Sequence, residues 1–343
     1  MSGIRPDEAA PSPRVTVAIP VYNSATTLAR CIQSASAQTL RDIEILVADD
    51  ASTDGSAAIA EAMALDDRRI RVIRLHPNGG KPRAMNRMIA EARGEWIAVL
   101  DADDTYLPER LDHLVRAAER SGVDMAADNL LYWDAGVDRV LRTGFDPALG
   151  VRVLGTDDLV RTASSFADFD LGILKPVVRR RFVQDHGLQY YEGTRLAEDF
   201  YYLLMFFVAG GRACVVGEAL YRWTMPFGTV SRRWTGTGGG AWRYDYRPAL
   251  QANQHFIGVM QQRGEAAAEA MLHRRSRQYR AMIPYLDAQR QASEGRWLRC
   301  AATIATNPQT FPLLAGRIVG RVRRALRRSP PVPATPDAVR SAP

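Results

Sequence analysis

The sequence predicts an α/β fold: a mainly parallel, Rossmann-like sheet flanked by helices, with a helical extension at its C-terminal end. Three observations carry that prediction. Short apolar, β-branched runs alternate with helically spaced segments through the first third of the chain, the pattern of consecutive βα units. Each run ends in a polar or glycine-bearing loop, and in such sheets ligands bind beyond the carboxyl ends of the strands. The chain has 343 residues, 46% of them hydrophobic and 24% charged, enough for a large core.

Taken in order, residues 15–19 (VTVAI) read as a buried strand stopped at Pro20, which has no N–H for the ladder. Residues 25–37 lack Pro and Gly and place Leu28, Ile32 and Ala35 on one helical face. Residues 43–48 (IEILVA) are the second strand, DDASTDG a turn-forming loop and 56–64 a helix. Strand 70–75, helix 83–92 and strand 96–100 (WIAVL) continue the alternation. A helix follows from 107 (PERLDHLVRAAER), then strands at 125–133 and 140–142, a helix at 199–209 and a strand at 212–216. An aromatic, turn-rich loop runs to about residue 240, and residues 246–286 are helical in pattern. The Pro-rich end from 329 and residues 1–13 read as disordered tails.

Several classes are excluded. The most apolar run, residues 200–210, is far shorter than the roughly 18 residues of a membrane span. No apolar stretch follows the N-terminal arginine as a secretory signal requires, so the chain is expected in the cytoplasm. Cys31, Cys214 and Cys300 have neither disulfide-framework nor zinc-ligand spacing. The net charge of +7 is matched by seven arginines between residues 298 and 335, a stretch without an acid. The basicity is therefore local, and no nucleic acid partner is expected. Leu314, Ile318, Val322 and Leu326 recur every four residues beside Arg317, Arg321, Arg324 and Arg328. That is a basic amphipathic helix suited to anionic lipid, each arginine contributing about 1 kcal/mol near such a surface.

Three motifs carry chemistry. Asp101-Ala102-Asp103-Asp104 follows the strand WIAVL. Carboxylates so spaced suit an oxygen-bound Mg²⁺ or Mn²⁺ shared with phosphates. Capping of the helix near Pro108 is the ordinary alternative, but three acids at a buried strand end are costly unless a positive group joins them. Asp49-Asp50-Ala51-Ser52-Thr53-Asp54-Gly55 also ends a strand. An aspartate there suits the imide N–H of uracil, while turn and N-cap chemistry through Ser52 or Asp54 is the alternative. In His76-Pro77-Asn78-Gly79-Gly80-Lys81-Pro82-Arg83 two glycines permit close backbone approach, and Lys81 or Arg83 meets a phosphate or base. It is neither a Walker loop nor a GxGxxG fingerprint.

In order, VTVAIPVYNSATTLARCIQSASAQT, VADDASTDGS, NGGKPRAMN and LDADD with PERL behind it resemble the nucleotide-sugar half of the inverting family 2 glycosyltransferases with the GT-A fold, over residues 15–114. The resemblance implies that Pro20, Tyr22 and Asp50 line the uridine, with Asn23, Asp49 and Ala102 in the same nucleotide-sugar site. It implies that Lys81 contacts nucleotide or diphosphate, that Asp101 reaches the ribose or metal side, and that Asp103 binds the metal. Ala51 departs from the family, which often has Gly there. The halves become 14–120 for the nucleotide sugar and 121–240 for the acceptor, with a helical extension over 241–328.

The family also has an acidic pair at a helix start facing the acceptor, and Glu198-Asp199 stands there, Asp199 as the base that deprotonates the attacking hydroxyl. Residues 171–232 are similar to bacterial succinoglycan-type exopolysaccharide glycosyltransferases. That implies an acceptor-facing loop at Gly172, Lys175 and Pro176, and closure over diphosphate or acceptor by Tyr221, Arg222, Trp223, Thr224, Ser231 and Arg232. Of the QxxRW motif of processive synthases, Arg233 and Trp234 are present but Val230 replaces the glutamine, so single-sugar transfer is expected. The implied reaction moves one sugar from a UDP-sugar, UDP-glucose first, to a polyprenyl-diphosphate-linked oligosaccharide at the inner face of the cell membrane. The competing expectation, a non-catalytic saccharide-binding protein of the same fold, is opposed by the intact Asp101, Asp103 and Asp199.

Overall fold

The computed structural model describes residues 12–162, 171–225 and 245–315. Its first elements are β1 (Val15–Val21), α1 (Leu28–Ser36), β2 (Ile43–Asp49), α2 (Ser56–Asp66), β3 (Ile70–Arg74), α3 (Lys81–Glu91) and β4 (Trp96–Val99). β1 lies parallel to both β2 and β4, and β2 to β3. Every residue of β2 and β4 is buried, which is why these segments are continuous apolar runs and not alternating ones.

Pro20 does not stop β1. The amide of Leu100 donates to the carbonyl of Ala18 at 3.0 Å, so Ala18, and Pro20 two residues on, face the β4 side. β4 pairs with β1 only as far as Ala18. The missing N–H of Pro20 therefore falls where the ladder has already ended, and the strand continues to Val21 beside β2.

The chain continues through β5 (Thr105–Tyr106), α4 (Arg110–Ser121), β6 (Met125–Asp134), β7 (Arg139–Thr143), β8 (Val151–Leu154), α5 (Thr156–Thr162), β9 (Val177–Arg179), α6 (Arg180–Asp185), α7 (Glu198–Val208) and β10 (Ala213–Met225). One sheet holds all these strands in the order β3-β2-β1-β4-β9-β6-β10-β5, with β7 on β6 and β8 on β10. β9 runs antiparallel to both β4 and β6 and joins the two parallel portions. β10 extends nine residues past the expected end at 216. Register shifts between Val216 and Tyr221 break the pattern there, and a bulged strand of this kind does not show period-2 alternation.

A fully buried ion pair ties α4 to β6 in the second parallel portion. Arg110 on α4 is 0% exposed and Asp128 on β6 is 1%. The guanidinium reaches both Asp128 oxygens, at 2.7 and 3.1 Å, in the bidentate geometry that favours arginine. The same carboxylate accepts from the Leu220 amide of β10 at 3.0 Å, and Arg110 also donates to the carbonyl of Lys175. The rings of Tyr106 and Tyr221 lie under the guanidinium at 4.2 and 5.0 Å.

Contacts divide the chain into two compact units, Met1–Tyr279 and Arg280–Pro343. In the first unit α8 (Arg247–Arg263) is pinned to α7 by the Tyr201 hydroxyl, 2.9 Å from the Ala249 carbonyl and 2.7 Å from Asn253 Oδ1. α9 (Ala266–Ser293) leads into the second unit, where α10 (Trp297–Ala305) leaves Trp297 and Leu298 exposed. Among the described residues no helix is long and apolar enough to cross a membrane. Nearly all of the basic helix expected at 314–328, and of both tails, lies outside the described residues.

Removing one member of a buried pair strands the other charge, at a cost of about 3–5 kcal/mol. Asp128→Ala is therefore expected to lower the urea-unfolding free energy by about that amount, against less than 1 kcal/mol for Asp112→Ala on the exposed side of α4.

Candidate active site

The parallel strands bring their terminal loops together, and hydrogen bonds then fix each loop. After β2, Asp50 accepts from the amides of Gly79 at 2.9 Å and Gly80 at 2.6 Å, while Asn78 Nδ2 donates to the Asp50 carbonyl at 2.8 Å. Gly80 has φ +87°, a conformation that side-chain-bearing residues rarely adopt. The next residue opens α3, so Asp50 and Gly80 together decide where Lys81 begins. Asn23, after β1, takes the Thr53 amide on its side-chain oxygen at 2.8 Å and gives its own amide to Ser52 Oγ at 3.0 Å. Asp49 is buried, accepts from the Ser52 amide at 3.3 Å and lies 3.6 Å from Arg74. Ala51 has φ +59°, which explains why glycine is common at this position in the family the sequence resembles. Pro20 and Tyr22 are half-buried at the end of β1.

The acids after β4 have three different tasks. Asp101 pairs with Lys81 at 2.8 Å and with Lys175 at 2.9 Å. Asp104 is 1% exposed and acts as a latch: it accepts from the Tyr221 hydroxyl at 2.7 Å and the Thr224 amide at 2.8 Å, tying the loop to β10. Asp103 has no ion pair among the described residues; its carbonyl accepts from Thr224 Oγ1 at 2.5 Å and Arg30 at 3.1 Å. The Ala102 carbonyl accepts from Thr27 Oγ1 at 2.9 Å.

Glu198 and Asp199 open α7, preceded by Ala197 with φ +62°, a strained conformation for a residue with a Cβ. Lys81 Nζ lies 3.0 Å from Asp199 Oδ2 and 3.4 Å from Glu198 Oε1, and Lys175 donates to the same Asp199 oxygen. Two lysines and three carboxylates from four segments thus form one cluster, each side chain at most 22% exposed. Asp199 Oδ1 is buried and has no hydrogen-bond partner among the described residues.

Electrostatics follow from this packing. Burial opposes charge on both lysines, but Asp101 and Asp199 outweigh it, assisted at Lys81 by Glu198; Lys81 is held well above, and Lys175 above, the usual lysine range. Burial likewise opposes charge on Asp101, yet Lys175 and Lys81 hold it below the usual carboxylate range. Asp103 is pushed up by burial and then by Asp101, and Asp104 well up by burial, Asp103 and Asp101. Glu198 is raised by burial, partly offset by Lys81.

Of the residues singled out in the sequence, Lys81, Asp101, Lys175, Glu198 and Asp199 meet directly. Asp50 and Asn23 hold the adjoining loops. The Trp223 ring packs 5.1 Å from that of Tyr132. Ser231 and Arg232, like Val230, Arg233 and Trp234, lie outside the described residues. Sequence reading missed Asp104 as a latch and the Arg110–Asp128 pair, for which no local pattern exists.

Among the described residues no three Asp, Glu, His or Cys side chains gather to hold a metal. Asp103, an unpaired acid beside Asp101, nevertheless fits a hard divalent cation whose remaining ligands are diphosphate oxygens and water, the usual arrangement for Mg²⁺.

The family model described as "Glycosyl transferase family 2" matches residues 16–163. The chain is 32% identical to the succinoglycan biosynthesis protein ExoO of Rhizobium meliloti (strain 1021), over 92% of this chain and 88% of that protein. Its fold is similar to S. aureus TarS 1-349 in complex with UDP-GlcNAc, with a TM-score of 0.55 and 17% identity over 86% of this chain and 82% of the other. It is also similar to the mannosyltransferase PcManGT from Pyrobaculum calidifontis in complex with GDP-Man and Mn²⁺, with a TM-score of 0.50 and 19% identity over 90% and 81%.

A buried acid with a raised pKa favours folding while protonated; that contribution is present below the unfolded value of about 3.9 and lost as pH rises through the folded one. Asp103→Asn is thus expected to raise the melting temperature by a few degrees at pH 7, with the gain shrinking toward pH 3 in calorimetric scans.

Proposed function

The chain belongs to glycosyl transferase family 2, and from that premise we propose that it transfers a single sugar, with inversion, from a UDP-sugar to a lipid-linked oligosaccharide in exopolysaccharide assembly. UDP-glucose is the first donor to test, and a polyprenyl-diphosphate-linked chain the acceptor. Likeness to ExoO supports the exopolysaccharide setting, and the UDP-GlcNAc complex of TarS supports a uridine nucleotide. The observation that carries the chemistry is the buried, unpartnered Asp199 Oδ1, whose twin oxygen is anchored by Lys81 and Lys175.

In this reading the acceptor hydroxyl donates its proton to Asp199 Oδ1 as its oxygen bonds to the anomeric carbon from the face opposite the diphosphate. The anomeric carbon's bond to the diphosphate oxygen breaks, UDP leaves, and one displacement inverts the centre. The two ammonium groups hold Asp199 in place through its Oδ2, with Glu198 beside it on the acceptor side. Asp50 has spare acceptor capacity for a uracil imide, because each carboxylate oxygen bonded to a loop amide retains a second lone pair. Pro20, Tyr22, Asn23, Asp49 and Ala102 complete the nucleotide-sugar side. Asp103, with diphosphate oxygens, would hold Mg²⁺ or Mn²⁺, which neutralises charge on the leaving group when bound. Trp223, Ser231 and Arg232 are assigned to the acceptor or diphosphate.

Residues 14–120 would then serve the donor and 121–240 the acceptor. The basic C-terminal segment would keep the enzyme peripheral to the cytoplasmic membrane face, where a lipid-linked acceptor is found.

Asp199→Asn is expected to cut transfer from UDP-glucose at least about 100-fold, with UDP affinity by calorimetry unchanged; unaltered turnover would remove Asp199 from the base role. The parent activity should require added Mn²⁺ or Mg²⁺ and disappear in EDTA. A chain ending at residue 310 should lose sedimentation with anionic liposomes while retaining UDP affinity.

A further inference from the structure

A cleft of about 860 Å³ opens where the chain between α6 and α7 crosses the flanks of α7 and α8, and it shares no lining residue with the charge cluster. That volume lies inside the range of roughly 300–1,000 Å³ typical of small-molecule sites. Met205 and Val208 of α7 and Phe256 and Val259 of α8 give it buried or half-buried apolar walls. Gln189, Glu192, His255 and Arg263 line it as exposed polar groups.

Its shape is fixed from behind. Asn86 on α3 takes the Tyr190 amide at 2.7 Å and donates to the Tyr190 carbonyl and to Glu192 Oε1, each at 2.9 Å. The Tyr191 ring stacks on His255 at 4.6 Å and meets Phe256 edge-on at 5.3 Å, while Phe256 stacks on Tyr201 at 4.7 Å. Gly193 makes room for that ring, because a Cβ there would lie 2.4 Å from the Tyr191 hydroxyl. Asn86 follows Lys81 on α3, and Met205 follows Asp199 on α7. At about 1.5 Å of rise per residue, the cleft is therefore about 7–9 Å along either helix from the cluster. Tyr190 belongs to both surroundings: it lines the cleft, and burial and then Asp199 drive its hydroxyl well above the usual tyrosine range, against Lys81.

Among the described residues no hydrogen bond or ion pair engages the side chains of Gln189, Tyr191, His255 or Arg263. Sugars present apolar C–H faces and a periphery of hydroxyls, so they suit aromatic and aliphatic walls bordered by side chains that both donate and accept. A polyprenyl chain would satisfy the walls but leave the polar groups desolvated and unpaired.

We infer that this cleft is a saccharide subsite, holding sugars of the acceptor chain behind the residue that reacts at Asp199. The class of ligand comes from the cleft itself; its assignment to the acceptor rests on the proposed transferase reading.

The test titrates the full chain by calorimetry and saturation-transfer NMR with glucose, cellotetraose and maltotetraose, each with and without saturating UDP, and with farnesyl phosphate as the apolar probe. At least one tetraose is expected to bind more tightly than glucose, and equally well in saturating UDP. Gln189→Ala and His255→Ala, both exposed, are each expected to weaken that binding about tenfold, with UDP affinity and melting temperature unchanged. Gly193→Ala keeps every polar group but pushes the Tyr191 ring aside, and is expected to weaken binding too. Absence of tetraose binding to the parent, its displacement by UDP, or full tetraose affinity in all three variants overturns the inference. Farnesyl phosphate binding that is lost in the same variants overturns it in favour of lipid. None of these measurements needs turnover, so an inactive transferase that still binds a tetraose contradicts the transfer reading alone, and an active one that binds no tetraose contradicts the cleft alone.

Discussion

Three carboxylates confined with two ammonium groups are the constraint on which the site depends. Asp101, Glu198 and Asp199 come from the loop after β4 and the start of α7, Lys81 from the start of α3, and Lys175 from the segment before β9. Partly buried charges persist only when paired, and here each lysine answers to more than one acid, so no single loop can move without unpairing another. The pairing is incomplete by design of the count: three negative groups face two positive ones, with Asp103 and Asp104 alongside. The raised Asp103, Asp104 and Glu198 register that surplus, and a surplus of buried negative charge is what a divalent cation relieves.

Buried carboxylates elsewhere in the same region serve construction. Asp50 ends in amide bonds to Gly79 and Gly80, Asp104 in bonds to Tyr221 and Thr224, and Asp128 in its fork with Arg110. Each ties a loop or strand to an element distant in sequence. The Arg110 contact with the Lys175 carbonyl carries this scaffolding up to the charge cluster itself, since it sets the main chain from which the Lys175 ammonium reaches out. Strain sits nearby as well: Ala51 and Ala197 hold positive φ beside Asp50 and Glu198, positions that a stability-optimised chain would give to glycine.

How much could be read without coordinates varied with range. The βαβα order from β1 to β4 was legible because parallel, doubly covered strands are written as continuous apolar runs, and Glu198-Asp199 stood out as acids before an apolar helix. β8 and β9, at four and three residues, are too short to show a period, and the far half of β10 was hidden by its bulges. Pro20 was read as a stop because the sequence does not say on which side of β1 the ladder ends. In DADD the three acids looked alike, whereas among the described residues it is the Asp104 carboxylate that is spent on holding β10.

From the sequence alone came the fold class, the order of the motifs and the identity of the acids and lysines with catalytic potential, because periodicity, turn chemistry and motif spacing are local properties. Only the tertiary structure decided that Lys81 bridges to Asp199 across 118 residues of chain, that Asp199 Oδ1 has no partner among the described residues, and that Arg110 and Asp128 pair in the interior. Those facts depend on which strands are neighbours, and strand order arises from the packing of the whole sheet, which no short stretch of residues encodes.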